Sequence, residues 1–131
     1  WTQVTIFLSP LDVHINRAPV EGLVTRIEYQ PGRFLPAYDA RASENERNEI
    51  WVDADGTTVV FRQVVGILAR RIVCRIEEGQ RIGLGERIGL MKFGSRMDVF
   101  LPLEVGLQVE VGQTVVAGET ILATLRRNDA A

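Results

Sequence analysis

Hydrophobic residues along this chain recur mostly at every second position, the period of a strand that buries one face. Val4, Ile6 and Leu8 form one such run, and Leu23, Thr25, Ile27 and Tyr29 form another. Ile50 and Val52 on one side, and Thr58 and Val60 on the other, flank Asp55-Gly56, a strong hairpin signal because both residue types tolerate a positive φ. Val59–Val65 and Ile72–Ile76 are rich in β-branched residues, with Gly66 between them as a bend. A helix start is visible only at Ser43-Glu44-Asn45-Glu46, a capping-box pattern that supports a turn or two before the β-rich Ile50-Trp51-Val52. The pattern predicts a mostly β domain.

A repeat sharpens this. Residues 20–35, 70–91 and 104–125 each carry an alternating strand, then a glycine turn, then Arg or Thr and an apolar residue. In the last two a second glycine follows six residues on, Gly79 with Gly85 and Gly112 with Gly118. Two tight turns around a short crossing strand resemble the hammerhead units of biotinyl and lipoyl domains. The expected architecture is a compact β-sandwich with pseudo-twofold halves, the boundary between them falling near residues 89–102.

With 131 residues, the chain is one domain, residues 1–131, and its 46% apolar content supports a real core. A net charge of −2 argues against a general nucleic-acid binder, which requires a basic excess. Cys74 is the single cysteine and lies in an apolar run, so it reads as a small buried hydrophobe, and with one cysteine and one histidine, His14, a zinc site is not expected. No apolar run reaches the ~18 residues of a membrane span, and no signal peptide is visible. The sequence opens at Trp1 in strand-like residues without an initiator methionine, and reads as a piece of a longer protein.

Four stretches could carry chemistry. In residues 9–22, Asp12, His14 and Asn16 project to one face of an extended segment, which suits general acid–base work but also the polar face of any half-exposed strand. In residues 42–49, Asn45, Arg47 and Asn48, with Arg41, could hold a phosphate or carboxylate, or could form a solvated loop. In residues 69–75, strand alternation separates Arg71 and Arg75 from Arg70, so at least one arginine turns inward and requires an anion. In residues 89–102, Lys92 after Met91 matches the modified lysine of carrier domains, while Gly94-Ser95 permits a hydroxyl to attack the preceding carbonyl. Gly-Ser is also a common turn.

The segments "LSPLDVHINRAPVEG", "PGRFLPA", "SENERN", "GILARRIVC", "GERIGLMKFGSRMDVFLP" and "VGQTVVAGETILA" occur in this order. Together they resemble the short-form phosphatidylserine decarboxylases, a pyruvoyl-dependent proenzyme family that also includes archaetidylserine decarboxylases. The resemblance covers residues 4–125. It implies self-cleavage between Gly94 and Ser95, giving a β subunit of residues 1–94 and an α subunit of residues 95–131 headed by a pyruvoyl group made from Ser95. The implied reaction converts phosphatidylserine, or a related serine phospholipid, to phosphatidylethanolamine and carbon dioxide.

By the same resemblance His14, in "SPxxxH", is the general acid–base group; from their donor chemistry alone Asn16, Asn45, Arg47 and Asn48 are candidates for substrate binding. Longer-form members carry a second histidine where Arg17 stands, and the family's self-processing aspartate comes from a segment upstream, so Asp12 is not that residue. Peripheral attachment to the cytoplasmic face of a membrane is expected, with a homo-oligomer compatible and no nucleic acid or metal involved. The alternatives are a biotinyl- or lipoyl-type carrier modified at Lys92, which leaves residues 4–65 unexplained, and an inactive β-sandwich fragment.

Overall fold

The computed structural model describes residues 1–8, 13–32, 36, 41, 45–66, 72–92, 95–116 and 120–125; for Val13, His14 and Lys92 the backbone alone is described. Among these residues the regular structure is β. The strands are β1 (Thr2–Phe7), β2 (Val13–Arg17), β3 (Gly22–Gln30), β4 (Arg47–Ala54), β5 (Thr57–Val64), β6 (Val73–Cys74), β7 (Arg81–Ile82), β8 (Arg87–Lys92), β9 (Arg96–Leu101), β10 (Gly106–Leu107) and β11 (Ala123–Thr124). They form an antiparallel six-stranded sheet in the order β1-β9-β5-β4-β3-β7, a three-stranded sheet β2-β8-β6 and a β10-β11 pair. The architecture is sandwich-like, as the alternation predicts.

The inner faces make the core. Ile50 and Val52 of β4, Val59 and Phe61 of β5, and Met97, Val99 and Leu101 of β9 pack with Val24, Ile82, Ile88 and Met91. Burying side chains of this size stabilises by about 1.5–3 kcal/mol each.

The predicted hairpin forms at Asp55 (φ 56°) and Gly56 (φ 90°), and it aligns Ala54 with Thr57 and Ile50 with Phe61. The Asp53 carboxylate caps it by accepting from Gly56 N–H at 2.8 Å. Gly79 (φ 86°) and Gly85 (φ 77°) form the two turns around the short crossing strand β7, as the repeat implies. In the last repeat Gly112 forms its turn (φ 87°), but residues 113–116 are not a strand, and Gly118 lies outside the described residues.

Two local expectations change. Leu23, Thr25, Ile27 and Tyr29 do not share one buried face: Val24 is fully buried, whereas Thr25 and Tyr29 are exposed. The cause is a β-bulge between Val24 and Arg26 against β4, which resets the alternation so that Val24 packs inward before it and Ile27 after it. At the capping box, Ser43 and Glu44 lie outside the described residues, and Asn45 and Glu46 already lead into β4 rather than continuing a helix.

Candidate active site

β8 belongs to the three-stranded sheet and β9 to the six-stranded sheet, so the chain changes sheets between Lys92 and Arg96. Phe93 and Gly94 lie outside the described residues; Ser95 is the first residue on the far side. It is only 1% exposed. Its carbonyl accepts a hydrogen bond from Leu8 N–H at 2.9 Å, extending the β1–β9 ladder one step past Phe7–Arg96. Its Oγ has no hydrogen-bond partner among the described residues. Leaving a buried hydroxyl unpaired costs about 1–3 kcal/mol, and such a group calls for an explanation, of which a chemical role is one.

Both flanks of the 93–94 segment are gripped by the flanks of residues 9–12. On one side Leu8 bonds to Ser95; on the other Val13 pairs with Lys92 and His14 with Met91 on β8. The antiparallel register therefore brings the start of β2, with His14, beside the end of β8, while the end of β1 lies against the start of β9. Ser95 and His14 are 81 positions apart in the numbering, and the topology brings their strand ends to the same connection.

The candidate binding residues divide into two pairs. Asn16 and Asn48, each 3% exposed, meet through Gln63 of β5. Gln63 Nε2 donates to Asn16 Oδ1 at 2.8 Å and to Val73 O at 3.1 Å, and Gln63 Oε1 accepts from Asn48 Nδ2 at 3.2 Å. Asn45 is fully buried and donates from Nδ2 to Val65 O at 2.8 Å; Arg47 Nη1 donates to Asn45 O at 3.1 Å. Arg47 pairs with Val64, which pairs with Arg96, so Arg47 lies in the row next to Ser95, two strands away or about 9–10 Å. Arg17 donates from Nη1 to Gly85 O at 2.9 Å and ties β2 to the second glycine turn. Of the arginines in residues 69–75, Arg75 is exposed, and Arg70 and Arg71 lie outside the described residues. Cys74 is part-buried against the core rather than fully buried as its apolar run predicts.

One cluster beside Ser95 escapes sequence reasoning. Asp98 is fully buried and accepts from Thr5 Oγ1 at 2.9 Å, from Arg62 Nη2 at 3.1 Å and from Arg96 Nη2 at 3.2 Å. Thr5 and Arg62 stand directly opposite Asp98 on the two neighbouring strands. The Arg62 guanidinium also lies over the Phe100 ring, 4.5 Å from its centroid. In sequence, "RMDVF" reads as a strand with one wet face, and nothing in its alternation marks that face as covered.

Ser95 is thus a buried serine at the head of a strand, held by its own carbonyl, with a hydroxyl that has no partner among the described residues. The model of the phosphatidylserine decarboxylase family matches residues 1–123. The chain belongs to that family. A phosphatidylserine decarboxylase proenzyme of Pelodictyon phaeoclathratiforme is 51% identical over 84 residues, covering 63% of this chain and 40% of the relative. One of Prosthecochloris aestuarii is 49% identical over 82 residues, covering 62% and 38%. One of Thermobifida fusca is 49% identical over 90 residues, covering 63% and 41%. The aligned region thus spans about two-fifths of each relative's length. No solved structure gives a significant match. Decarboxylase membership spanning nearly the whole chain leaves the Lys92 carrier alternative without support.

Proposed function

We propose that this chain carries the reaction centre of a pyruvoyl-dependent phosphatidylserine decarboxylase, cut between Gly94 and Ser95 into a β subunit (residues 1–94) and an α subunit (residues 95–131). The observation that carries the reading is the buried Ser95 Oγ, without a hydrogen-bond partner among the described residues, in a chain of this family. In the self-cleavage step Oγ attacks the Gly94 carbonyl carbon, and the amide bond to the Ser95 nitrogen gives way to an ester. Loss of the Ser95 α-proton then expels the Gly94 carboxylate with Oγ and leaves a dehydroalanine. Its tautomer takes up one water and releases ammonia, leaving a ketone. Atoms balance with one water consumed and one ammonia released, and no oxidant is involved.

The pyruvoyl ketone supplies a covalent attachment point for the substrate amine and a sink for the electron pair freed as carbon dioxide leaves. The protein's part is positioning and proton transfer. His14 is the group proposed to deliver the proton to the decarboxylated carbon. Arg47 is the cation proposed to meet the phosphate or carboxylate of the headgroup, beside Asn45, to whose carbonyl it donates, while Asn16 and Asn48 are held through Gln63. Ser95 to Val99 are all buried, which keeps water from the reacting carbon. The substrate is a serine phospholipid, reached by peripheral contact at the cytoplasmic face of a membrane; among the described residues no helix is long and apolar enough to cross one.

Intact mass of the denatured full-length protein tests this. Two chains are expected, the smaller beginning with a ketone in place of an amine, together with carbon dioxide release from phosphatidylserine vesicles. A wild-type protein that remains one chain overturns the proposal. Ser95→Ala gives one uncut, inactive chain, and activity in that variant refutes the pyruvoyl assignment.

A further inference from the structure

We propose that the main-chain N–H of Leu8 both anchors the new amino terminus and polarises the carbonyl of residue 95 during decarboxylation, an inference that rests on the pyruvoyl reading above. Ser95 would contribute three carbons to the prosthetic group: Cβ becomes the methyl, Cα the ketone, and the carbonyl remains the amide joined to Arg96. Cleavage breaks the bond on the other side of the residue. The carbonyl held by Leu8 at 2.9 Å is therefore the part of Ser95 whose bonds survive the conversion.

Among the described residues the anchor has no substitute on the opposite flank. The β5–β9 ladder ends at Val64–Arg96, and the next β5-side amide, Val65 N–H, is taken by Glu46 O at 3.1 Å. Among the described residues Leu8 is the main-chain donor to Ser95 O. Once the chain before residue 95 is cut, this bond and the Phe7–Arg96 pairing fix where the terminus points.

The same bond has an electronic consequence. As carbon dioxide leaves, the electron pair of the breaking carbon–carbon bond stays with the substrate carbon and is drawn through the conjugated system toward the residue 95 carbonyl oxygen. It returns to that carbon when the proton arrives, so nothing is oxidised or reduced overall. A fixed N–H aimed at that oxygen, in a site shielded from water, stabilises the charge where it develops and requires no reorganisation. Donors of this kind act mainly on kcat.

Leu8 is the residue after β1, an edge strand, so proline there removes one N–H without interrupting an interior ladder. In the full-length protein, Leu8→Pro is compared with Leu8→Ala, which shortens the side chain but keeps the N–H. Leu8→Pro is expected to lose about 10–100-fold in kcat relative to Leu8→Ala with KM little changed. Equal kcat in two cleaved, folded variants overturns the inference. A second measurement does not depend on the variant folding. Carbonyl-13C serine with 15N arginine labels the Ser95–Arg96 junction, and the loss of one signal in Arg96→Lys assigns its carbonyl. With 15N leucine added, a scalar coupling across Leu8 N–H to that carbonyl is expected in the cleaved wild type, and its absence overturns the inference. A wild type that is never cleaved instead refutes the pyruvoyl reading.

Discussion

Gln63 on β5 and Asn16 on β2 share a buried hydrogen bond that crosses between the two sheets, Gln63 Nε2 to Asn16 Oδ1 at 2.8 Å. Asn16 is two residues from His14 on β2, and Gln63 stands opposite Met97, two residues from Ser95. The bond therefore joins the strand of the proposed acid–base group to the sheet of the proposed prosthetic group. Both Nε2 hydrogens are used, on Asn16 and Val73, and Oε1 accepts from Asn48, which fixes the amide orientation. Gln63→Leu leaves three buried polar groups short of a partner and is expected to destabilise the protein by about 2–4 kcal/mol. Urea unfolding measures the loss. Gln63→Glu, which turns a carboxylate oxygen toward two acceptors, is expected to cost more than the leucine variant; a smaller cost would show that the network is not what holds these strands.

Asp98 answers two arginines from a fully buried position. Asp98→Ala removes that carboxylate from Arg62 and Arg96 and is expected to destabilise by about 3–5 kcal/mol. Replacing Arg62 by leucine in the same chain removes one of the stranded charges, so the double variant is expected to be more stable than Asp98→Ala alone. A double-mutant cycle by thermal or urea unfolding measures the coupling. Additive losses would mean that the two side chains do not depend on each other.

Glycine serves two different purposes in this fold, and alanine separates them. At Gly89 a Cβ would meet Val73 O at 2.0 Å and Gln63 Nε2 at 2.8 Å, so Gly89→Ala forces β6 away from β8 and disturbs the Gln63 network. At Gly79 nothing lies within 4 Å, and only the φ of +86° opposes a side chain. Gly79→Ala is expected to cost about 1–2 kcal/mol, and Gly89→Ala substantially more, with lost amide protection in β6. Equal melting temperatures for the two variants would contradict the close approach.

The strands and the Asp55-Gly56 hairpin were legible because they depend on local alternation and turn chemistry. Ser95 and His14 stand out as candidates only through the order of several motifs, since Gly-Ser alone is a common turn. The bulge at Val24–Arg26 was not legible, because it inserts a residue without altering the residue types around it. Neither was the burial of Gln63 or Asp98. A polar residue alternating with apolar ones implies a solvated face, and whether another layer covers that face is decided by segments far away in sequence.

Lys92 and His14 occupy neighbouring rungs of one ladder, where Val13 pairs with Lys92 and His14 with Met91, and they separate the functional readings. In the proposed decarboxylase, His14→Ala lowers kcat by about 10²–10⁴-fold, the usual weight of a general acid–base group. Its melting temperature stays close to that of the wild type. An unfolded His14→Ala protein would instead assign the histidine a structural role. Lys92→Ala retains cleavage and most of the turnover, because no step proposed for the reaction passes through its amine. Loss of activity in folded, cleaved Lys92→Ala would bring the lysine into the mechanism and require a second proton carrier beside His14. Measuring cleavage by mass and turnover by carbon dioxide release on the same preparations keeps a processing defect distinct from a catalytic one.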